Sequence, residues 1–172
     1  IEEFMFKNIL FWVLAFVITV GSAVFQRMTG PTYPYRGETV FENQTIKYKL
    51  DRSHEGSDNH KVIITVSDKD IKGTLVYKRY KSNDTLSYAT MQREGDNLFA
   101  EFPGQLAAGK TQYEVILTKG EKTITIPEKA VVLRFKGAVP AIYLLPHIII
   151  MFAAMLFSIK AGIEALRKEP SL

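Results

Sequence analysis

Two apolar segments without a single charged side chain bracket this chain, at residues 8–25 and 137–159. A helix that crosses a bilayer needs about 20 apolar residues, because the hydrocarbon core is ~30 Å thick and the helix rises ~1.5 Å per residue. The 18 residues of the first segment reach roughly 27 Å and the 23 of the second roughly 34 Å. Both are expected to be transmembrane helices. The near-zero mean hydropathy of the chain then averages two different materials, and the boundaries follow. An N-terminal transmembrane helix occupies residues 1–26, and a Pro/Tyr linker residues 27–37. A polar domain covers 38–136, and a C-terminal transmembrane helix with a short cytoplasmic extension covers 137–168.

The first segment has features of a secretory signal: Lys7, an apolar run, then Gly21 and Ala23 at cleavage-site spacing. The run is longer than the ~7–15 residues of a signal core, and Gly21-Ser22-Ala23 lies inside it, so a retained anchor is expected. Charge gives little orientation. Lys7, Lys160, Arg167 and Lys168 flank one side and Arg27, Arg134 and Lys136 the other. The arrangement of one domain between two anchors favours cytoplasmic termini and a periplasmic or external domain, with a bacterial inner membrane as the expected location.

Alternation with period two runs through the middle domain. Ile46, Tyr48 and Leu50 alternate with lysines, as do Val62, Ile64 and Val66 with their neighbours. Leu75 and Tyr77 begin a third run and Tyr88 lies in a fourth. Leu98, Ala100 and Phe102 follow, then Tyr113, Val115 and Leu117, then Ile124 and Ile126, and last Val131, Leu133 and Phe135. Turn residues separate the runs at Ser53 to Asn59, Asp68 to Gly73, Glu94 to Asn97, Pro103-Gly104 and Lys119-Gly120. Short strands at this spacing imply a β-sandwich or barrel.

Gly73-Thr-Leu-Val-Tyr77, Met91, Gly95-Asp-Asn-Leu-Phe99-Ala-Glu-Phe-Pro103, Ala108-Gly109-Lys110 and Tyr113-Glu-Val115 together resemble the second half of an immunoglobulin- or fibronectin-type module. The resemblance implies a mainly β fold: an immunoglobulin-like β-sandwich of 7–9 strands flanked by two transmembrane α-helices. It implies no site residues, and the cysteine pair and central tryptophan of antibody domains are absent. Trp12, the one tryptophan, lies in the first anchor.

The absence of cysteine excludes disulfides, thiolate iron–sulfur ligation and blue-copper chemistry. The net charge of +4 is a mild field that argues against nucleic-acid binding. No nucleophile elbow, phosphate loop or zinc-protease motif occurs. The expectation is therefore a non-catalytic protein with no cofactor and no small-molecule substrate.

Several residues merit a place as candidates. His147, after Pro146 in the second apolar segment, is a haem or quinone contact or a neutral histidine bonded to a neighbour. His54 and His60 share a polar loop and have the chemistry of zinc or copper ligands, or are simply solvated. Tyr33 and Tyr35 in the Pro-stiffened linker suit an interface with lipid or a partner. Small residues four apart give each helix a ridge, Ala15, Thr19 and Ala23 in the first, Ala154, Ser158 and Gly162 in the second. Counted from Phe25 and Gly137 as the outer ends, the ridge centres Thr19 and Ser158 differ by ~20 Å in depth. On that count the ridges do not meet and stay open to other membrane subunits. The expected role is an accessory or assembly subunit of a larger membrane complex, such as a respiratory, photosynthetic, transport or secretion assembly. A free-standing envelope receptor or adhesin binding through the domain's loops is the alternative.

Overall fold

A computed structural model describes residues 2–166. The protein is mainly β, with two terminal apolar helices flanking a sheet-rich domain. It divides into a helical unit and a β unit spanning Pro31–Ala138.

In the helical unit, α1 (Glu2–Thr29) and α2 (Ala141–Ala165) pack on each other. Both are long and apolar enough to cross a membrane; only 11% of the apolar window of α1 and 0% of that of α2 is buried. That exposure is the opposite of what a core helix of a globular domain shows. α1 continues past Phe25 to Thr29, and α2 starts at Ala141 rather than Gly137. Pro146 lies inside α2. Arg167, Lys168 and Pro170, on which the expected cytoplasmic extension rests, lie outside the described residues.

The β unit holds ten strands among the described residues, against the 7–9 expected. They are β1 (Tyr35–Phe41), β2 (Gln44–Leu50), β3 (Ser53–Glu55), β4 (His60–Thr65), β5 (Lys72–Arg79), β6 (Ser87–Thr90), β7 (Gln92–Glu94), β8 (Asn97–Phe102), β9 (Lys110–Lys119) and β10 (Lys122–Lys136). β1–β2 is a hairpin, β3-β10-β9-β5-β6 a five-stranded sheet and β4-β8-β7 a three-stranded one. β3 and β7 have three residues each, too few to display alternation. β10 joins what reads as two strands, with a register shift between Ile126 and Val131. The linker is shorter than expected, because Tyr35 already belongs to β1 and pairs with Leu50.

All three sheets contribute to one core. Ile46 and Leu50 of β2, Val62 and Ile64 of β4, Leu98 and Phe102 of β8, and Val115, Leu117, Leu133 and Phe135 of β9 and β10 belong to a single cluster. On β4 the pattern is strict: His60, Val62 and Ile64 are buried while Lys61, Ile63 and Thr65 are exposed. A histidine thus takes a core position, and it fixes the geometry of the site below.

Candidate functional site

Two places in the molecule concentrate chemistry, one in each unit.

In the β unit, β3 and β4 bring His54 and His60 together through a tight loop. Gly56, at φ 99°, adopts a conformation that side chains rarely tolerate, and its N–H donates to the Lys136 carbonyl at 3.0 Å. Gly104 packs so closely on this loop that a Cβ there would lie 1.9 Å from the Ser57 carbonyl oxygen. The loop places the imidazoles 5.1 Å apart at 76°, with Nδ1 of His60 and Nδ1 of His54 at 3.2 Å. His54 Nε2 lies 3.2 Å from Asp58 Oδ1.

These contacts assign the protons. A carboxylate only accepts, so His54 Nε2 carries the hydrogen and donates it to Asp58. One hydrogen then bridges the two Nδ1 atoms, one ring donating and the other accepting. The chain is Asp58, His54, His60, with His60 resting on Phe102 at 5.3 Å and Tyr113 at 6.3 Å, and His54 on Phe135 at 5.4 Å. Burial, and secondly the neighbouring His54, hold His60 below its ordinary value of 6.5, with Asp51 and Asp58 opposing. The bond to His54 holds the Asp58 carboxyl below its ordinary value. Burial raises the phenol of Tyr113, whose hydroxyl donates to the Asp51 carbonyl at 2.7 Å.

Sequence spacing alone reads His54 and His60 as possible metal ligands. The structure does converge them, but among the described residues no group of three or more metal-binding side chains forms. The pair functions as a hydrogen-bonded clasp between β3 and β4.

The clasp makes stability pH-dependent. His60 is lower in the folded state than in the unfolded chain, so the unfolded chain binds the extra proton. Its contribution is complete above 6.5 and is lost as pH falls from there toward the lowered folded value. Thermal unfolding followed from pH 8 down to 5 should show a declining midpoint, and His60→Phe should flatten that decline. An equal slope in the variant would refute the assignment.

In the helical unit, Trp12 of α1 meets Phe157 of α2 edge-on at 5.8 Å, and Lys160 Nζ lies 5.4 Å from the Trp12 ring centre. Lys160, 8% exposed, is also paired with Glu164 one turn on. Above this level Ala15 (0% exposed) and Thr19 (2%) are buried. Thr19 can be buried without a partner on α2 because its hydroxyl donates to the Ala15 carbonyl at 2.8 Å.

Of the candidate ridges, then, the first faces α2, with Ala23 half-buried at its end. This corrects the expectation that it is open to other proteins. The depth count is also corrected. Counting from Trp12 beside Phe157, Thr19 and Ser158 differ by only ~12 Å, because both assumed outer ends were misplaced. The ridge of Ala154, Ser158 and Gly162 is exposed along its whole length, on the side of α2 turned from α1. His147 is exposed on α2 as well. Tyr33 of the linker is half-buried, while Tyr35 stacks on Tyr48 at 6.3 Å and 16° within the hairpin.

The buried positions of His60 and Lys160 escape a reading by residue type. For His60 the signal was present: it keeps the parity of Val62 and Ile64. No known family model matches this chain, and no curated protein matches it either.

Proposed function

We propose that this protein is a non-catalytic accessory or assembly subunit of a larger integral-membrane complex. α1 and α2 anchor it in a bacterial inner membrane with both termini cytoplasmic, and the β unit is a periplasmic immunoglobulin-like sandwich that docks on partner subunits. One observation carries this reading: the helix pair uses the small-residue ridge of α1 internally and leaves that of α2 exposed. In lipid, helices associate by close backbone approach rather than by hydrophobic burial, and small residues permit that approach. A helix whose sole task was anchoring has no need of such a face.

Further support comes from the exposure of most apolar side chains of both helices and from the single core shared by the sheets. The absence of cysteine provides the test. Ser158→Cys introduces a single thiol into a cysteine-free chain. In gently solubilised membranes that thiol should cross-link to another integral-membrane subunit, and the same subunit should co-purify with the unaltered protein. A chain that purifies alone as a monomer, with no cross-link at residue 158, overturns the proposal.

A further inference from the structure

β2 and β4 lie alongside each other yet belong to different sheets. The parity of each strand identifies the backbone groups left between them. The hairpin turns at Glu42 and Asn43, both at positive φ (50° and 61°), which is the two-residue loop of a type I′ turn. The flanking pair Phe41/Gln44 therefore exchanges both N–H···O bonds, and by alternation so do Thr39/Ile46, Gly37/Tyr48 and Tyr35/Leu50. The amides of Thr45, Lys47 and Lys49 point away from β1.

On the other strand, Val66 N–H donates to the Asp96 carbonyl at 2.7 Å, which continues the β4–β8 register by one step. His60, Val62 and Ile64 are then the residues bonded to β8. The amides of Lys61, Ile63 and Thr65 point away from it. Asp68 N–H donates to Gln44 Oε1 at 3.4 Å, joining the start of β2 to the chain just beyond β4, so the strands are antiparallel. Two rows of three residues thus face each other across a seam that neither ladder closes. A cavity of ≈ 330 Å³, lined by residues of both strands and by Tyr113, occupies the seam.

Strand edges of this kind are templates for another strand. The lining carries Lys47, Lys49 and Lys61 against one acid, Asp51, which lies 3.7 Å from Lys49. Lys61 rests its ammonium 3.9 Å from the centre of the Phe99 ring. In the register Glu38 stands opposite Lys47, Arg36 opposite Lys49 and Glu101 opposite Lys61, so the lining stays net positive with these cross-strand partners counted. Ile63, 48% exposed, supplies an apolar contact at its middle.

We propose that this seam binds an extended acidic segment of a partner protein by β-strand addition. Main-chain bonds to the two amide rows supply the affinity, and acidic side chains alternating over the three lysines supply the selectivity. The hairpin β1–β2 is the element that gives way, since among the described residues the one ladder β2 makes is with β1. This inference deepens the docking reading above by naming a surface on the β unit, and it stands apart from the helix faces.

The test is hydrogen exchange by mass spectrometry on the full chain in detergent micelles. The probe is a short peptide alternating glutamate with valine. Exchange over residues 45–49 and 61–65 should slow at least about tenfold while β9 is unchanged. Lys47→Glu with Lys61→Glu should weaken binding about tenfold, and N-methylation of alternate peptide amides should abolish it. Seam amides already protected without peptide, no slowing on its addition, or equal binding of free glutamate would each overturn the proposal. Peptide binding that survives while co-purification fails leaves the seam intact and refutes the membrane-subunit reading alone.

Discussion

Phe102→Ala should cost the β unit about 3–5 kcal/mol, the largest loss expected of any single truncation in it. Phe102 is 1% exposed and closes β8 in the middle of a ring cluster. Its ring centre lies 5.2 Å from Tyr113, 5.3 Å from His60, 5.6 Å from Tyr77 and 6.4 Å from Phe135. These neighbours come from four other strands, β9, β4, β5 and β10, each held by its own ladder. Such a site collapses poorly onto an alanine, and a cavity that stays open adds to the lost transfer energy. Urea unfolding of the full chain in micelles, read by near-ultraviolet circular dichroism, measures the loss. Phe102→Leu should cost less than about 1.5 kcal/mol. Val40→Ala, at a side chain 68% exposed, should stay within about 0.5 kcal/mol. The truncation also removes the surface on which His60 rests, so the acid-side decline of stability should shrink in Phe102→Ala. Similar costs for all three variants would show that the rings do not form the centre of the core.

What the sequence disclosed about this core follows from how each strand is buried. β2, β4, β8 and β9 bury one face, so alternation gives their positions and the side that faces inward. β1 turns Gly37, Thr39 and Phe41 inward, with Phe41 alone fully buried, and a face that carries a glycine and a threonine leaves no apolar period to read. β3 pairs in parallel with the far end of β10, Arg134 opposite Ser53, a contact made across some eighty residues that no local pattern encodes. Pro127, Glu128 and Lys129 interrupt the apolar positions of β10 and split it in the reading, although the chain resumes on the same neighbour β9 after the register shift. The candidate site was legible in part. The chemistry of His54 and His60 was visible, but their hydrogen bond depends on a 3.2 Å approach that only the fold creates. The helix ridges were visible as spacing. Which of them turns inward depends on Trp12, Phe157 and Lys160, the residues that set the register of α1 on α2.

Ala15→Leu and Ser158→Leu, the same enlargement on the two ridges, should separate the roles of the two helix faces. Ala15 is 0% exposed against α2, so a larger side chain there must part the helices, at about 1–3 kcal/mol. Trp12 reports the outcome directly, since it is the one tryptophan in the chain and touches Phe157 and Lys160 across the pair. Its emission should change in Ala15→Leu as the indole loses both contacts. Ser158 is exposed, so Ser158→Leu should leave Trp12 emission and the unfolding midpoint unaltered. The same variant should nonetheless lose the co-purifying subunit, because a branched side chain in the middle of a small-residue ridge prevents close backbone approach. If Ser158→Leu keeps its partner while Ala15→Leu loses it, the partner recognises the assembled pair rather than the outer ridge. If neither variant affects co-purification, the helices serve as anchors and docking falls to the β unit. The inward ridge therefore governs stability and the outward ridge association, and the two effects should appear in different measurements on the same pair of variants.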